Sequence, residues 1–98
     1  MDEEIVLEIY FRFNLKDSIV DMLLDDGFDD FFYHRCSKYA SSSMLHSSME
    51  QVSGRQDYGM FKISLSEDNA KFLANKLLQA FGTDDIKIFK SGMQHYKI

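Results

Sequence analysis

Proline and tryptophan are absent from the 98 residues, cysteine occurs once and glycine five times. The single thiol, Cys36, closes no intrachain disulfide and makes no CxxC motif. A reducing compartment suits such a chain. The glycines never fall into GxGxxG or a P-loop, so the sequence writes no phosphate cradle. No GxSxG nucleophile elbow occurs either. Apolar runs are short, as in Ile5-Val6-Leu7 and Met22-Leu23-Leu24, and none is long enough for a transmembrane helix. Basic residues are the minority, eleven against sixteen acids, which leaves a formal charge of −5. That balance disfavours nonspecific binding to nucleic acid or to an anionic membrane. The opening Met1-Asp2-Glu3-Glu4 is acidic where a signal peptide is basic, so a cytoplasmic location is expected.

Aromatic side chains, by contrast, are plentiful: nine Phe and five Tyr, more than one small core needs. Their spacing gives the architecture. Ile5, Leu7, Ile9, Phe11 and Phe13 recur at period two, the mark of a strand with one apolar face. Asn14 is placed to cap a helix whose stripe is Leu15, Ile19, Met22 and Leu23, with Gly27 closing it. Phe28 to Tyr39 reads as a second strand, and residues 40–55 as a long loop. Phe61, Ile63 and Leu65 mark a third strand. Ser66 caps a second helix with the stripe Ala70, Leu73, Leu77 and Phe81, ended by Gly82. Asp85 to Lys90 forms a fourth strand, and Ser91 to Ile98 is a tail suited to extend it.

The order β-α-β-β-α-β is the ferredoxin-like pattern. It predicts one α+β domain over 1–98, a four-stranded antiparallel sheet with both helices on one face. The helix side takes Leu7, Ile9, Phe11, Phe61, Ile63, Ile86 and Ile88. The other side then carries Val6, Tyr10, Arg12, Tyr58, Met60, Lys87 and Phe89, and alternate residues of the second strand, read as Phe31, Tyr33 and Arg35, join it. So aromatic a face calls for a partner. One partner is single-stranded RNA. Residues 9–15 and 56–63 loosely resemble the strand motifs of RNA-recognition domains, with Tyr10 and Tyr58 as the stacking rings. Asp57 stands where glycine is expected and Met60 replaces a stacking ring, which weighs against nucleic acid. The other partner is a second copy, through Tyr10, Tyr33, Tyr58, Met60 and Phe89.

The loop carries the more specific signal. Ser41 to Ser48 is serine-rich and leads through Glu50-x-Val52-x-Gly54-Arg55 into Phe61-Lys62-Ile63-Ser64-Leu65. This stretch resembles a small PII-like family of unassigned function, often encoded beside heavy-metal efflux pumps. The resemblance implies a non-enzymatic regulatory or binding protein that forms a homotrimer. It also implies a link to copper, silver or zinc, with an efflux component as a partner. Read on their own, Glu50 and Arg55 can pair or hold an anion, and Gly54 suits a turn with positive φ.

His34, Cys36, Met44, His46 and Met49 form a soft donor set within sixteen positions, suited to Cu(I), Ag(I) or Zn(II). His34 and Cys36, two apart on a strand, share a face. No established ligand spacing supports the set. PII proteins bind adenine nucleotides in clefts that here correspond to Gly54 and Arg55, Gly82 to Asp85, and Lys87 with Lys90. Asp84 and Asp85 repel a phosphate there, so a nucleotide is not supported. No catalytic residues are assigned: the anion-cradling first loop of acylphosphatases is missing, and Asp25-Asp26 and Asp29-Asp30 read as solvated surface.

Overall fold

The period-two pattern near the start builds β1 (Glu3–Arg12), which buries Leu7, Ile9 and Phe11 on one side. The structure, a computed structural model, describes residues 3–39, 54–94 and 96. A single turn of 3₁₀ helix (Phe13–Leu15) leads into α1 (Lys16–Asp25). Next come β2 (Phe32–Tyr39), β3 (Arg55–Leu65), α2 (Glu67–Phe81) and β4 (Ile86–Gln94). The strands form one antiparallel sheet in the order β2-β3-β1-β4. Register places Ile9 against Phe61 on one side and against Ile88 on the other. Ile19 and Leu23 of α1 and Ala70, Leu73 and Leu77 of α2 close over Leu7, Ile9, Phe11, Phe61, Ile63 and Ile86. This is the expected ferredoxin-like α+β sandwich, with both helices on one face.

The helix ends follow local chemistry. Ser66 Oγ accepts the Asn69 N–H at 3.2 Å, and Glu67 and Asp68 occupy the electropositive first turn of α2. At the end of α1 the Gly27 N–H donates to the Leu24 carbonyl at 3.0 Å and the Phe28 N–H to the Leu23 carbonyl at 2.8 Å. This paired arrangement, with Gly27 at φ 84°, is a Schellman cap. It places Phe28 in the cap, packed on the core, so β2 begins at Phe32 and not at Phe28. Asn14 does not cap α1. The 3₁₀ turn absorbs it, and Leu15 takes the cap position with no side-chain bond. Gly54 has φ 68°, the positive value expected where the chain enters β3. The fourth strand runs on through Gln94, paired with β1 as far as Glu3.

One facing is reversed. Tyr33, expected on the open side with Phe31 and Arg35, stands on the helix side opposite Phe61, with ring centroids 5.5 Å apart. Phe31 meets Phe61 edge-on at 5.2 Å. Gly59 is the reason. A Cβ there would lie 2.5 and 2.8 Å from two Phe11 ring carbons and 3.1 Å from Tyr33 Cε1. The missing side chain leaves a hole on the helix side of β3, and the Phe11 and Tyr33 rings occupy it. With Tyr33 inside, His34 and Cys36 face outward.

Candidate functional site

The side of the sheet away from the helices carries Val6, Glu8, Tyr10 and Arg12 of β1, and His34, Cys36 and Lys38 of β2. Tyr58 and Met60 of β3 and Lys87 and Phe89 of β4 complete it. No helix covers this face, yet Val6 is only 9% exposed and Tyr58 only 5%. Long side chains of neighbouring residues lie against Tyr58. Lys38 Nζ sits 5.3 Å from the Tyr58 ring centroid and Arg12 Cζ sits 6.0 Å from it. These cation–π contacts hold the long side chains against the sheet. Of the two rings expected to stack RNA bases, Tyr58 is enclosed by its neighbours, while Tyr10 is partly exposed.

Toward the end of the sheet from which the loop departs, this face forms a groove of about 600 Å³ lined by Glu8, Tyr10, Cys36, Lys38, Tyr58, Lys87 and Phe89. Tyr10 and Phe89 meet edge to face at 5.8 Å and form part of its floor. Lys38 and Lys87 come from the two edge strands, so an ammonium group flanks each side. The Tyr10 hydroxyl donates to Glu8 Oε2 at 3.4 Å. Burial, then the adjacent Glu8 carboxylate, pushes the Tyr10 phenol above its ordinary value. Burial also pushes the Cys36 thiol up, so it stays protonated near neutrality and is a weak nucleophile.

Behind the groove, Arg12 Nε meets Asp85 Oδ1 at 3.1 Å, and the Arg12 N–H donates to the Asp85 carbonyl at 3.0 Å. The turn after α2 is thereby tied to the end of β1. Arg12 offsets one of the two carboxylates expected to repel a phosphate, while Asp84 remains exposed.

The other expected site residues divide sharply. Tyr10, Tyr58, Met60 and Phe89 share the open face; Tyr33 does not. His34 is exposed and opposite Met60, and Cys36 is half-buried opposite Tyr58. Met44, His46, Met49 and Glu50 lie outside the described residues. Arg55, exposed, opens β3 opposite Tyr39. Among the described residues, no three His, Cys, Asp or Glu side chains converge as a metal site. Lys38 was not singled out by sequence; its two-residue spacing from Cys36 is the signal that places it on this face.

Sheet order, helix placement and the long β2–β3 connection define a PII-like fold. A family model described as a protein of unknown function, DUF3240, matches residues 1–93, and the chain belongs to that family. Solved structures agree. The PII-like protein CPII of Thiomonas intermedia K12, bound to ADP, AMP and bicarbonate, superposes with a TM-score of 0.76 at 16% identity, over 99% of this chain and 97% of that one. A DUF3240 protein of Shewanella baltica OS155 gives 0.69 at 16% identity, over 100% and 96%. GlnK of B. subtilis, in its ATP complex, gives 0.63 at 16% identity, over 93% and 82%. At these identities the likeness is one of fold. A comparison with curated proteins returns no match. No helix among the described residues is long and apolar enough to cross a membrane.

Proposed function

We propose that this chain is a non-enzymatic PII-like regulatory protein that assembles as a homotrimer through its open sheet face and takes a small planar anion in the groove at the loop end. The observation that carries this reading is the open face itself. It presents Tyr10, Met60 and Phe89 with no helix over them, and Phe89 is 54% exposed. Burying such a face against copies of itself gains about 25 cal/mol per Å² of apolar surface. The groove supports the ligand class. An aromatic floor suits a flat ring, and Lys38 and Lys87 on opposite sides suit negative charge. That CPII is seen with ADP and AMP, and GlnK with ATP, makes adenine nucleotides the first ligands to try. Calorimetric titration with AMP, ADP and ATP tests the reading. Binding that weakens about tenfold in Lys87→Ala and in Lys38→Ala supports it, as befits loss of a charged contact. Absence of heat with all three nucleotides rejects an adenine ligand.

A second reading, regulation in a heavy-metal response with an efflux component as partner, rests on His34 and Cys36 standing together on this face beside Met60. Imidazole, thiol and thioether are the donors that Cu(I) and Ag(I) prefer. Anaerobic titration with Cu(I), Ag(I) and Zn(II) decides it. A site lost in the His34→Ala, Cys36→Ala double variant supports this reading, and an unchanged isotherm removes both residues from it.

A further inference from the structure

One groove residue runs against the charge of its neighbours. Glu8 sets a carboxylate in a groove whose two sides carry the Lys38 and Lys87 ammonium groups. It is half-buried, and the Tyr10 hydroxyl at 3.4 Å is the one hydrogen-bond donor to reach it among the described residues. Among those residues it makes no ion pair either, although Lys62 stands directly across on β3. A carboxylate has about four acceptor sites, and one long bond leaves most of them open. Such a group weakens the hold of the groove on a bare anion and favours a ligand that brings N–H donors to the same place. The strands keep the two demands apart. Glu8 is paired with Phe89, and Tyr10 with Lys87 is the next pair on this face toward the loop. Lys38 lies nearer the loop again, opposite Gln56. The acceptor end thus adjoins the aromatic floor, and the cationic end lies beyond it.

We infer that Glu8 determines which ring the groove takes, and that it selects guanine over adenine; this rests on the planar-anion reading of the groove proposed above. A nucleotide whose ring lies on Tyr10 and Phe89 turns the ring edge to Glu8 and its phosphate to the lysines. Guanine presents two adjacent donors there, N1–H and the 2-amino group, which match the two oxygens of a carboxylate. Adenine presents one donor, its 6-amino group, beside the N1 lone pair, which a carboxylate repels. The lysines hold the phosphate of either nucleotide equally, so the choice of base falls to Glu8 alone.

Calorimetric titration of the full-length chain with GMP, IMP and AMP tests it. GMP binds about tenfold tighter than AMP, the worth of one charge-assisted hydrogen bond. IMP keeps N1–H and lacks the 2-amino group, and it falls between them. Glu8→Gln replaces one acceptor oxygen with an amide donor, which suits the N1 and 6-amino edge of adenine. In that variant GMP weakens about tenfold and AMP tightens, so the preference inverts, an outcome that mere loss of structure does not produce. Lys87→Ala weakens GMP and AMP alike. Matching melting curves check that both variants fold. AMP binding as tight as GMP in the unmodified chain, or a GMP preference that survives Glu8→Gln, overturns the inference and leaves the groove reading standing. Absence of heat with all three nucleotides overturns both.

Discussion

Gly59 decides which side of β2 faces the helices, because the Phe11 and Tyr33 rings fill the space its side chain would take. Gly59→Ala drives a methyl group into the Phe11 ring and costs about 1–3 kcal/mol, the range for overpacked cores. Urea unfolding measures it, and an unchanged midpoint contradicts the packing described. The facing of β2 was the least legible feature of the sequence, and the reason lies in its residues. Phe31 and Tyr33 on one parity and Phe32 with His34 on the other are both aromatic sets, so hydrophobicity does not choose between them. The choice is made across the strands, by a glycine in the helix-facing row of β3. Titration at this scale is directional. Burial raises both the Cys36 thiol and the Tyr10 phenol from ordinary values of 9.0 and 10.0. Above those values the unfolded chain has released protons that the folded chain keeps. Stability from these groups is therefore full near neutrality and falls as pH rises through their folded-state values. Urea midpoints taken from pH 7 upward should hold steady and then drop above about pH 9, and Cys36→Ser with Tyr10→Phe should flatten the drop.

Among the elements, those with strong local signals came out as read. Ser66 caps α2, Gly27 and Gly82 end the two helices, and Gly54 turns the chain into β3. Ser66→Ala removes the acceptor for the Asn69 N–H and costs about 1 kcal/mol in thermal or urea unfolding. Asn14 and Phe28 were misread for related reasons. Each lies where a short irregular turn joins two elements: a 3₁₀ turn before α1 and a Schellman cap after it. Pattern rules count residues in ideal helices and strands, and these turns shift the count. The candidate groove was half legible for a similar reason. Tyr10, Tyr58 and Phe89 follow from strand parity, whereas the Arg12–Asp85 tie and the Lys38 contact with Tyr58 depend on how three strands come together.

At the scale of the whole molecule, the sandwich has one face closed by helices and one left open. The aromatic abundance of the sequence divides between them. Phe11, Phe31, Tyr33 and Phe61 fill the core, while Tyr10, Tyr58 and Phe89 lie across the sheet. Proposing that copies of the chain cover the open face has a direct consequence for Phe89. It stands on that face at 54% exposure, paired with β1 at Glu8. Phe89→Glu places a charge against the neighbouring subunit and should dissociate the assembly while leaving the helix-side core intact. Circular dichroism then keeps its native shape as the mass falls. The central claim is tested most directly by light scattering coupled to size-exclusion chromatography on the unmodified chain at micromolar concentration. The account predicts a single species of three times the 11.5 kDa chain mass. A single species at the mass of one chain would contradict it.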